Sequence, residues 1–245
     1  MGNIFGFLRI HDKIFNYMPK KVQMLPSSKP KIISRTIYQE LFPKELSKSD
    51  KRKMEIIEGA IRAYASVDFD SISFDAVATP AKTSRKLVQH YFPDKNELFE
   101  TSMKLIRAQF QVLAVEAISK AQTPKAQIEE YIRSTFYWAK SQPLHTKAWM
   151  LFFQICAQKP KFKSMHAELT KMGEQRIMAM ISNLRKPEKI EASELLNVAK
   201  NIQRLITGGL IEFCTERNIE DVELVQEQVV KACMMLVESL NSGTR

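Results

Sequence analysis

The sequence predicts an all-α protein, and three observations lead to that prediction. Long stretches carry apolar residues at spacings of three and four, the pattern of helices that bury one face. Alternating runs of valine, isoleucine and threonine, which are typical of strands, are absent. Only 7 glycines and 10 prolines punctuate the 245 residues. We therefore expect an almost wholly helical chain, long enough for one compact core and a small additional domain.

The first 48 residues are expected to form an extension ahead of the folded domains. Residues 4–18 place apolar side chains opposite charged and polar ones, which predicts a short amphipathic helix, and the prolines and serines at 19–30 predict a linker. This helix can dock on the protein's own body, help to clamp DNA or lie on a membrane surface, and docking is favoured over the other two. A wrongly chosen upstream start codon is a further alternative.

Positive charge is concentrated at the start of the chain. The net charge is +10, and residues 1–53 carry 12 Lys or Arg against 4 acidic residues. Residues 54–95 hold 5 basic and 6 acidic groups, and residues 96–245 hold 20 and 17. A basic arm beside a DNA-binding domain would contact phosphates and release counterions, whereas such a charge run can equally be a solvated leader. Both interpretations stay open.

Two helices are predicted between residues 51 and 81. Lys51 to Ser66 has its apolar residues on one side, so a first helix is expected there. Phe74, Val77, Ala78 and Ala81 then follow the spacing of one buried helical face, which predicts a short second helix.

A third helix is predicted immediately after a tight turn. Thr83 or Ser84 can cap its N-terminus, and its apolar residues then point inward. The side chains left facing outward are Arg85, Lys86, Gln89 and His90. A fourth, longer helix is expected from Asp94 to about Lys120, with Asp94 as N-cap and Glu97 as its capping-box partner. Two short helices joined by a turn and packed across a first helix form a helix-turn-helix DNA-binding head.

The order of these elements resembles the N-terminal domain of the TetR family of transcriptional repressors. The resemblance is carried by IIEGAIRAY, SISFDAVATPAKTS and VQHYFPDKNELF, within about residues 50–99. The chain departs from the family where Asp68 and Lys82 replace glycine, at positions that resemble left-handed helix ends. It also departs at Lys86, Gln89 and Tyr91, so the family's DNA sequence preference does not transfer.

The resemblance implies three parts and a mechanism. Residues 1–48 are the basic extension, residues 49–98 the helix-turn-helix domain and residues 99–245 the ligand-binding and dimerisation domain. The implied protein is a cytoplasmic homodimeric repressor that binds double-stranded DNA at a palindromic operator and leaves it when a small apolar or aromatic molecule binds. A dimeric helical sensor or scaffold that has lost operator-specific binding is the alternative. Alignment with the family makes eight residues candidates for DNA contact: Thr83, Ser84, Arg85, Lys86, Gln89, His90, Tyr91 and Lys95.

The last two helices are candidates for a dimer interface. They are expected at roughly Glu191 to Glu216 and Glu220 to Asn241, after a break at Pro187, and both carry an apolar seam. The family resemblance favours a four-helix interface, and ordinary intramolecular core is the alternative. The residues predicted for the interface are Ile202, Ile206, Gly209, Phe213, Val229 and Leu236.

Aromatic bulk is concentrated in the helices expected after Pro124 and after Pro143, and it predicts a pocket for an apolar or aromatic molecule. A seventh helix is expected to open at Pro160. A solid core is the alternative interpretation, because aromatic stripes at helical spacing serve both purposes. The predicted pocket residues are Gln109, Phe110, Phe136, Trp138, Trp149, Phe152, Phe153 and Met178.

No residue pattern points to an enzyme, a metal site or a cofactor. Cys156, Cys214 and Cys233 are far apart, and no Cys–His cluster has metal-ligand spacing. A Gly-rich phosphate loop, a nucleophile elbow and a paired acid–base motif are all missing from the sequence. No run has the length of a membrane span or of a signal peptide, so a reducing cytoplasm is the expected location.

Overall fold

The computed structural model of the protein describes residues 47–66, 69–184, 190–215 and 219–240, and these ranges contain nine α-helices and no strand. The all-α prediction is therefore confirmed. The predictions made for residues 1–46, for Asp68 and for Pro187 lie outside the described residues. The helices are α1 Lys48–Tyr64, α2 Phe74–Ala78, α3 Arg85–Tyr91, α4 Lys95–Lys120, α5 Pro124–Ser141, α6 Pro143–Gln158, α7 Pro160–Leu184, α8 Ala192–Thr215 and α9 Ile219–Ser239.

Helix α1 begins before its predicted start at Lys51. The Ser47 hydroxyl accepts a hydrogen bond from the Asp50 backbone N–H at 3.1 Å, and the Asp50 carboxylate accepts one from the Ser47 N–H at 2.9 Å. This reciprocal capping box satisfies N–H groups that a helix start otherwise leaves unpaired. The Ser47 hydroxyl also donates a hydrogen bond to the Asp50 carboxylate at 2.6 Å, and this bond, with the one from the Ser47 N–H, lowers the pKa of Asp50. Ser47 is thus the N-cap of α1.

The turn between α2 and α3 packs directly against α1. Helix α2 ends at Ala78, short of the predicted face that reaches Ala81, because Pro80 has no N–H with which to continue the helix. Lys82 has a φ of 50°, which is the left-handed conformation expected at this position. A Cβ atom at Gly59 of α1 would lie 2.5 Å from the Cβ atom of Ala81, so only glycine permits this approach.

The starts of α3 and α4 are capped by side chains. Ser84, one of the two predicted caps of α3, accepts a hydrogen bond from the backbone N–H of Leu87 at 3.2 Å. Asp94 is the N-cap of α4, as predicted, but it accepts from the N–H of Asn96 at 2.9 Å. The capping box expected with Glu97 is thus replaced by a bond to the second helical residue.

The body of the protein is built around α4. This helix has 26 residues and packs mainly against α5, while α6 to α9 complete the bundle. Prolines stand at the first position of α5, α6 and α7, as predicted. No helix in the described ranges is long and apolar enough to cross a membrane.

Phe99 on α4 joins the core of the head to the core of the body. Its fully buried ring lies 4.9 Å from the ring of Tyr64 in α1 and 5.1 Å from the ring of Phe162 in α7, and both pairs are edge to face. Such pairs contribute about 0.5–1.5 kcal/mol beyond the burial of their surface. Apolar contact therefore holds the head against the body.

Candidate DNA-binding surface and ligand cavity

Helix α3 presents a polar face to solvent. Val88 is fully buried against the head, which fixes the orientation of the short helix. The side chains of Arg85, Lys86, Gln89 and His90 are exposed on its outer face. The structure therefore brings together the four residues that the sequence placed outward.

Arg85 is paired with a carboxylate on the preceding helix. Its guanidinium lies 3.1 Å from the Asp75 carboxylate, and the two side chains are 59% and 61% exposed. Exposed ion pairs of this kind contribute little to stability, typically about 0–1 kcal/mol. Arg85 can therefore leave Asp75 for a phosphate or a base edge at small cost.

Two arginines of α1 hold the turn that positions α3. Arg52 donates to the Lys82 carbonyl at 3.3 Å, and Arg62 donates to the Pro80 carbonyl at 3.0 Å. These carbonyls belong to the turn that carries the left-handed residue. The arginines thus hold the turn in place and with it the orientation of α3 in the head.

The end of α3 lies beside the start of α1. The hydroxyl groups of Tyr91 and Ser49 are 3.2 Å apart, and the Tyr91 side chain is half-buried. Lys48 and Lys51, on either side of Ser49, are exposed. They add positive charge next to α3, and the excess of basic residues before residue 54 is the sequence signal for them.

Three other DNA-binding candidates have side-chain groups that are hydrogen-bonded or buried within the head. The Ser84 hydroxyl caps α3, and the Lys95 ammonium donates to the Ile72 carbonyl at 3.0 Å. The Thr83 hydroxyl oxygen is buried and has no hydrogen-bond partner. Their side chains are therefore less available to DNA than those on the outer face of α3.

A cavity of about 70 Å³ lies inside the body, between α4, α5, α6, α7 and α8. Four of the eight predicted pocket residues line it: Phe110, Trp138, Trp149 and Phe153. Both tryptophans of the chain are in this group. The predicted concentration of aromatic bulk thus surrounds a cavity rather than a wholly solid core.

The other four predicted pocket residues point elsewhere. Phe136 and Phe152 are 1% and 0% exposed and pack in the core, with Phe136 against Phe213 and Phe152 against Phe99. Gln109 faces the head, and Met178 packs at the edge of the core. Helical periodicity places all four inward, but neighbouring helices close over them before they reach the cavity.

Polar groups in the cavity wall were missed by the sequence analysis. They are Arg107, Tyr131, Thr135, His166, Thr170, Gln203 and Thr207. Gln203 and Thr207 stand four residues apart on the apolar face of α8, and this interruption is the signal that could have revealed them. The burial of His166 lowers its pKa, which favours the neutral imidazole.

Arg107 is the charged group of the cavity wall. Its Nε atom is buried without a hydrogen-bond partner, and its guanidinium carbon lies 5.0 Å from the centre of the Phe110 ring. Burial lowers the pKa of Arg107 to about 10; the Tyr131 hydroxyl opposes this shift, and the charge of Arg176 adds to it. Arg107 therefore remains a cation at neutral pH.

A polar cluster connects the head with two helices that line the cavity. The Gln109 amide of α4 donates to the Glu58 carboxylate of α1 at 3.4 Å. The Nε2 atom of His145 in α6 is also 3.4 Å from that carboxylate. Glu58 thus links α1 to both α4 and α6.

The chain was compared with known proteins. The family model described as bacterial regulatory proteins, tetR family, matches residues 56–101. Residues 56–101, which span most of the helix-turn-helix domain, are therefore similar to the TetR family of bacterial regulators. A relative, the HTH-type transcriptional regulator BetI of Proteus mirabilis, is 27% identical over 128 residues, covering 51% of this chain and 62% of that protein.

Solved structures resemble this chain in fold. A transcriptional regulator from Pseudomonas aeruginosa PAO1 superposes with a TM-score of 0.66 at 17% identity, over 84% of this chain and 97% of the other. A regulator from Saccharomonospora viridis, solved in complex with choline, gives a TM-score of 0.63 at 15% identity, over 74% and 94%. The TetR-like prediction made from the helix-turn-helix is confirmed by this agreement.

Several residues predicted for the dimer interface lie inside the single chain. Ile202, Ile206 and Val229 are at most 8% exposed, and a Cβ atom at Gly209 would lie 2.4 Å from the Val229 Cγ2 atom. The α8 seam therefore packs within the chain, against α9 and α5. Phe213 and Leu236 are half-buried. Among the side chains that the structure describes, the large apolar ones that α8 and α9 leave exposed are Ile211, Leu224 and Met235.

No group of metal-ligating side chains occurs among the described residues. Cys156 and Cys233 are buried, Cys214 is exposed, and all three are free thiols. Burial raises the pKa of Cys156 to about 11 and that of Cys233 to about 12. These two thiols therefore stay protonated at neutral pH, a state in which they are poor nucleophiles and metal ligands.

Proposed function

We propose that this TetR-family protein is a homodimeric repressor that binds a palindromic DNA site through α3 and leaves it when a small molecule with an apolar or aromatic part occupies the cavity. The observation that carries the proposal is the outer face of α3. Arg85, Lys86, Gln89 and His90 are exposed there, on a helix whose inner face and preceding turn are held by α1. Such a helix suits the major groove, where arginine and glutamine side chains read base edges.

The exposed apolar side chains of α8 and α9 support a homodimer. Ile211, Leu224 and Met235 are 44%, 55% and 62% exposed. A second copy would cover them in a symmetric contact between the two pairs of helices. Two α3 helices would then meet two half-sites related by the dimer axis.

Release by a ligand is supported by the position of α4 and α6. Each helix lines the cavity and also contacts Glu58 of the head, α4 through Gln109 and α6 through His145. A ligand that spreads the cavity walls would shift these helices and with them α1. The distance between the two α3 helices would change, and the dimer would lose its fit to the operator.

The test is the selection of bound sequences from a pool of random double-stranded DNA. The full-length protein should select a palindromic motif. The Lys86→Ala and Gln89→Ala variants should select a weaker or altered motif, while the Lys163→Ala control, at an exposed lysine of α7, should leave it unchanged. Removal of residues 1–46, which keeps the Ser47 cap, should reduce the salt dependence of binding if the extension contacts phosphates.

A second candidate is a dimeric sensor or scaffold without operator-specific binding. It is favoured by the internal engagement of two predicted phosphate contacts, Tyr91 with Ser49 and Lys95 with Ile72. Failure of the full-length protein to select any motif, with its dimeric state intact, would support this candidate over the repressor.

A further inference from the structure

The cavity contains hydrogen-bond donors that the chain does not satisfy. Arg107 Nε, Arg176 Nη1 and Trp138 Nε1 are each buried without a hydrogen-bond partner. Arg107 and Trp138 line the cavity, and the guanidinium carbon of Arg176 lies 5.9 Å from the ring centre of Tyr131, which lines it too. Buried N–H groups are normally paired, so unpaired donors on two lining residues, Arg107 and Trp138, with a third on Arg176 beside Tyr131, point to an acceptor supplied from outside the chain.

The two guanidinium groups also lack a counter-charge. Within the described ranges, neither Arg107 nor Arg176 forms an ion pair with an aspartate or a glutamate. Neighbouring cations repel each other, and the burial of Arg107 strengthens that repulsion. An anion between them would replace repulsion with charge-assisted hydrogen bonds, for which the guanidinium fork is well shaped.

We propose that the ligand of this cavity is a small aromatic carboxylate, an inference that rests on the regulatory function proposed above. Its carboxylate accepts hydrogen bonds from Arg107 and Arg176, and its ring lies against Trp138, Trp149 and Phe153. The cavity volume of about 70 Å³ is far below the roughly 300 Å³ or more of pockets for drug-sized ligands, which limits the proposal to a single-ring acid.

A quaternary ammonium ligand does not fit this arrangement. Such cations are bound by the faces of aromatic rings. Here the guanidinium of Arg107 lies 5.0 Å from the centre of the Phe110 ring, and that of Arg176 lies 5.9 Å from the centre of the Tyr131 ring. The chain's own cations thus lie at two of the aromatic rings of the cavity wall and would repel a ligand cation bound beside them. This separates the chain from the choline-bound regulator of similar fold.

Intrinsic fluorescence provides a direct test, because both tryptophans of the chain line the cavity. The full-length protein would be titrated with benzoate and phenylacetate, with their neutral amides, and with choline. At least one acid should quench the fluorescence with saturation and bind about tenfold or more tightly than its amide. Choline should not bind. Equal affinity for acid and amide, stronger binding of choline, or no binding by either acid would each overturn the proposal.

Substitutions test the assignment of the two arginines. Arg107→Met and Arg176→Met should each remove the preference for acid over amide, whereas Arg204→Met, at an exposed arginine of α8, should keep it. Circular dichroism would confirm that each variant remains folded. Arg107→Lys retains the charge and should keep part of the preference, which a purely structural role of Arg107 would not produce.

The experiments distinguish a wrong ligand class from a wrong repressor function. If an acid binds with the expected preference but leaves DNA affinity unchanged, the ligand class stands and release by this ligand fails. If DNA is bound and only the neutral amides or choline release it, the repressor stands and the carboxylate is wrong.

Discussion

The Glu58 carboxylate of α1 lies 3.4 Å from the Nε2 atom of His145 on α6, and both side chains are largely buried. The Gln109 amide of α4 donates to the same carboxylate. One head residue therefore touches both helices that also line the cavity. A movement of α4 or α6 in the cavity wall would therefore act directly on α1, the helix that holds the turn before α3.

Substitutions of Glu58 and His145 should have coupled effects on the free energy of unfolding. Glu58→Gln, His145→Ala and the double variant form a cycle, and we expect an interaction of about 0.5–3 kcal/mol, the range for residues in contact. Urea unfolding of the four proteins measures it. A control cycle that pairs Glu97→Gln, at an exposed residue of α4, with His145→Ala should be additive. A coupling near zero for Glu58 and His145 would contradict the link.

Gly59→Ala should destabilise the head. The added Cβ would lie 2.5 Å from the Ala81 Cβ and 2.8 Å from its backbone, which cannot move aside without displacing the turn. The expected loss is about 1–3 kcal/mol, larger than the gain of about 1 kcal/mol in helix propensity. Thermal unfolding and DNA affinity should both fall.

Gly173→Ala is the matched comparison for Gly59→Ala. Its Cβ would meet the Gln203 Oε1 atom at 2.4 Å, the free end of a flexible side chain that can turn away. We expect a smaller loss of stability than at Gly59. An equal loss for the two variants would mean that contact with backbone does not decide the cost.

Arg107→Met should raise the thermal stability of the unliganded protein. The substitution removes a buried cation that repels Arg176 and keeps similar volume, and such replacements are neutral or stabilising by about 1–4 kcal/mol. Differential scanning calorimetry compares the variant with Arg204→Met. A lower melting temperature for Arg107→Met alone would show that this arginine serves the fold rather than a ligand.

Leu224→Glu should shift the proposed dimer toward monomer. Leu224 is 55% exposed on α9, and a charge buried there between two copies would be left unpaired. Sedimentation velocity measures the change. Leu144→Glu, at a residue that is 39% exposed on α6, is the control and should remain dimeric. If Leu224→Glu leaves the oligomeric state unchanged, the interface lies elsewhere.

Glu100 should contribute to acid sensitivity. The hydrogen bond from Lys104, at 2.7 Å, is the main cause that lowers its pKa below the ordinary 4.5, with burial opposing and Lys161 assisting. A lowered folded-state pKa means that the stabilisation is present above about pH 4.5 and is lost as the pH falls through the folded value. Urea unfolding between pH 6 and pH 3 should show a flatter acid limb for Glu100→Gln. Glu97→Gln, at an exposed position of the same helix, should follow the unaltered protein.

Local patterns were enough to predict the helices and the helix-turn-helix. Prolines at 124, 143 and 160 begin helices, Ser84 caps α3, and Lys82 adopts the left-handed conformation, because each effect acts within a few residues of chain. The outward face of α3 followed in the same way from spacing alone.

The contacts that the inward-facing side chains make could be found only in the packed structure. Periodicity predicts that Gln109, Phe136 and Ile202 face inward, but the side chains that cover them come from distant segments of the chain. In the structure Gln109 contacts the head, whereas Phe136 and Ile202 pack in the core. Arginine is a residue type usually found at the surface, yet the packing of the helices places Arg107 in the cavity wall. A helical repeat determines which face turns inward; only the arrangement of helices in space decides what that face contacts.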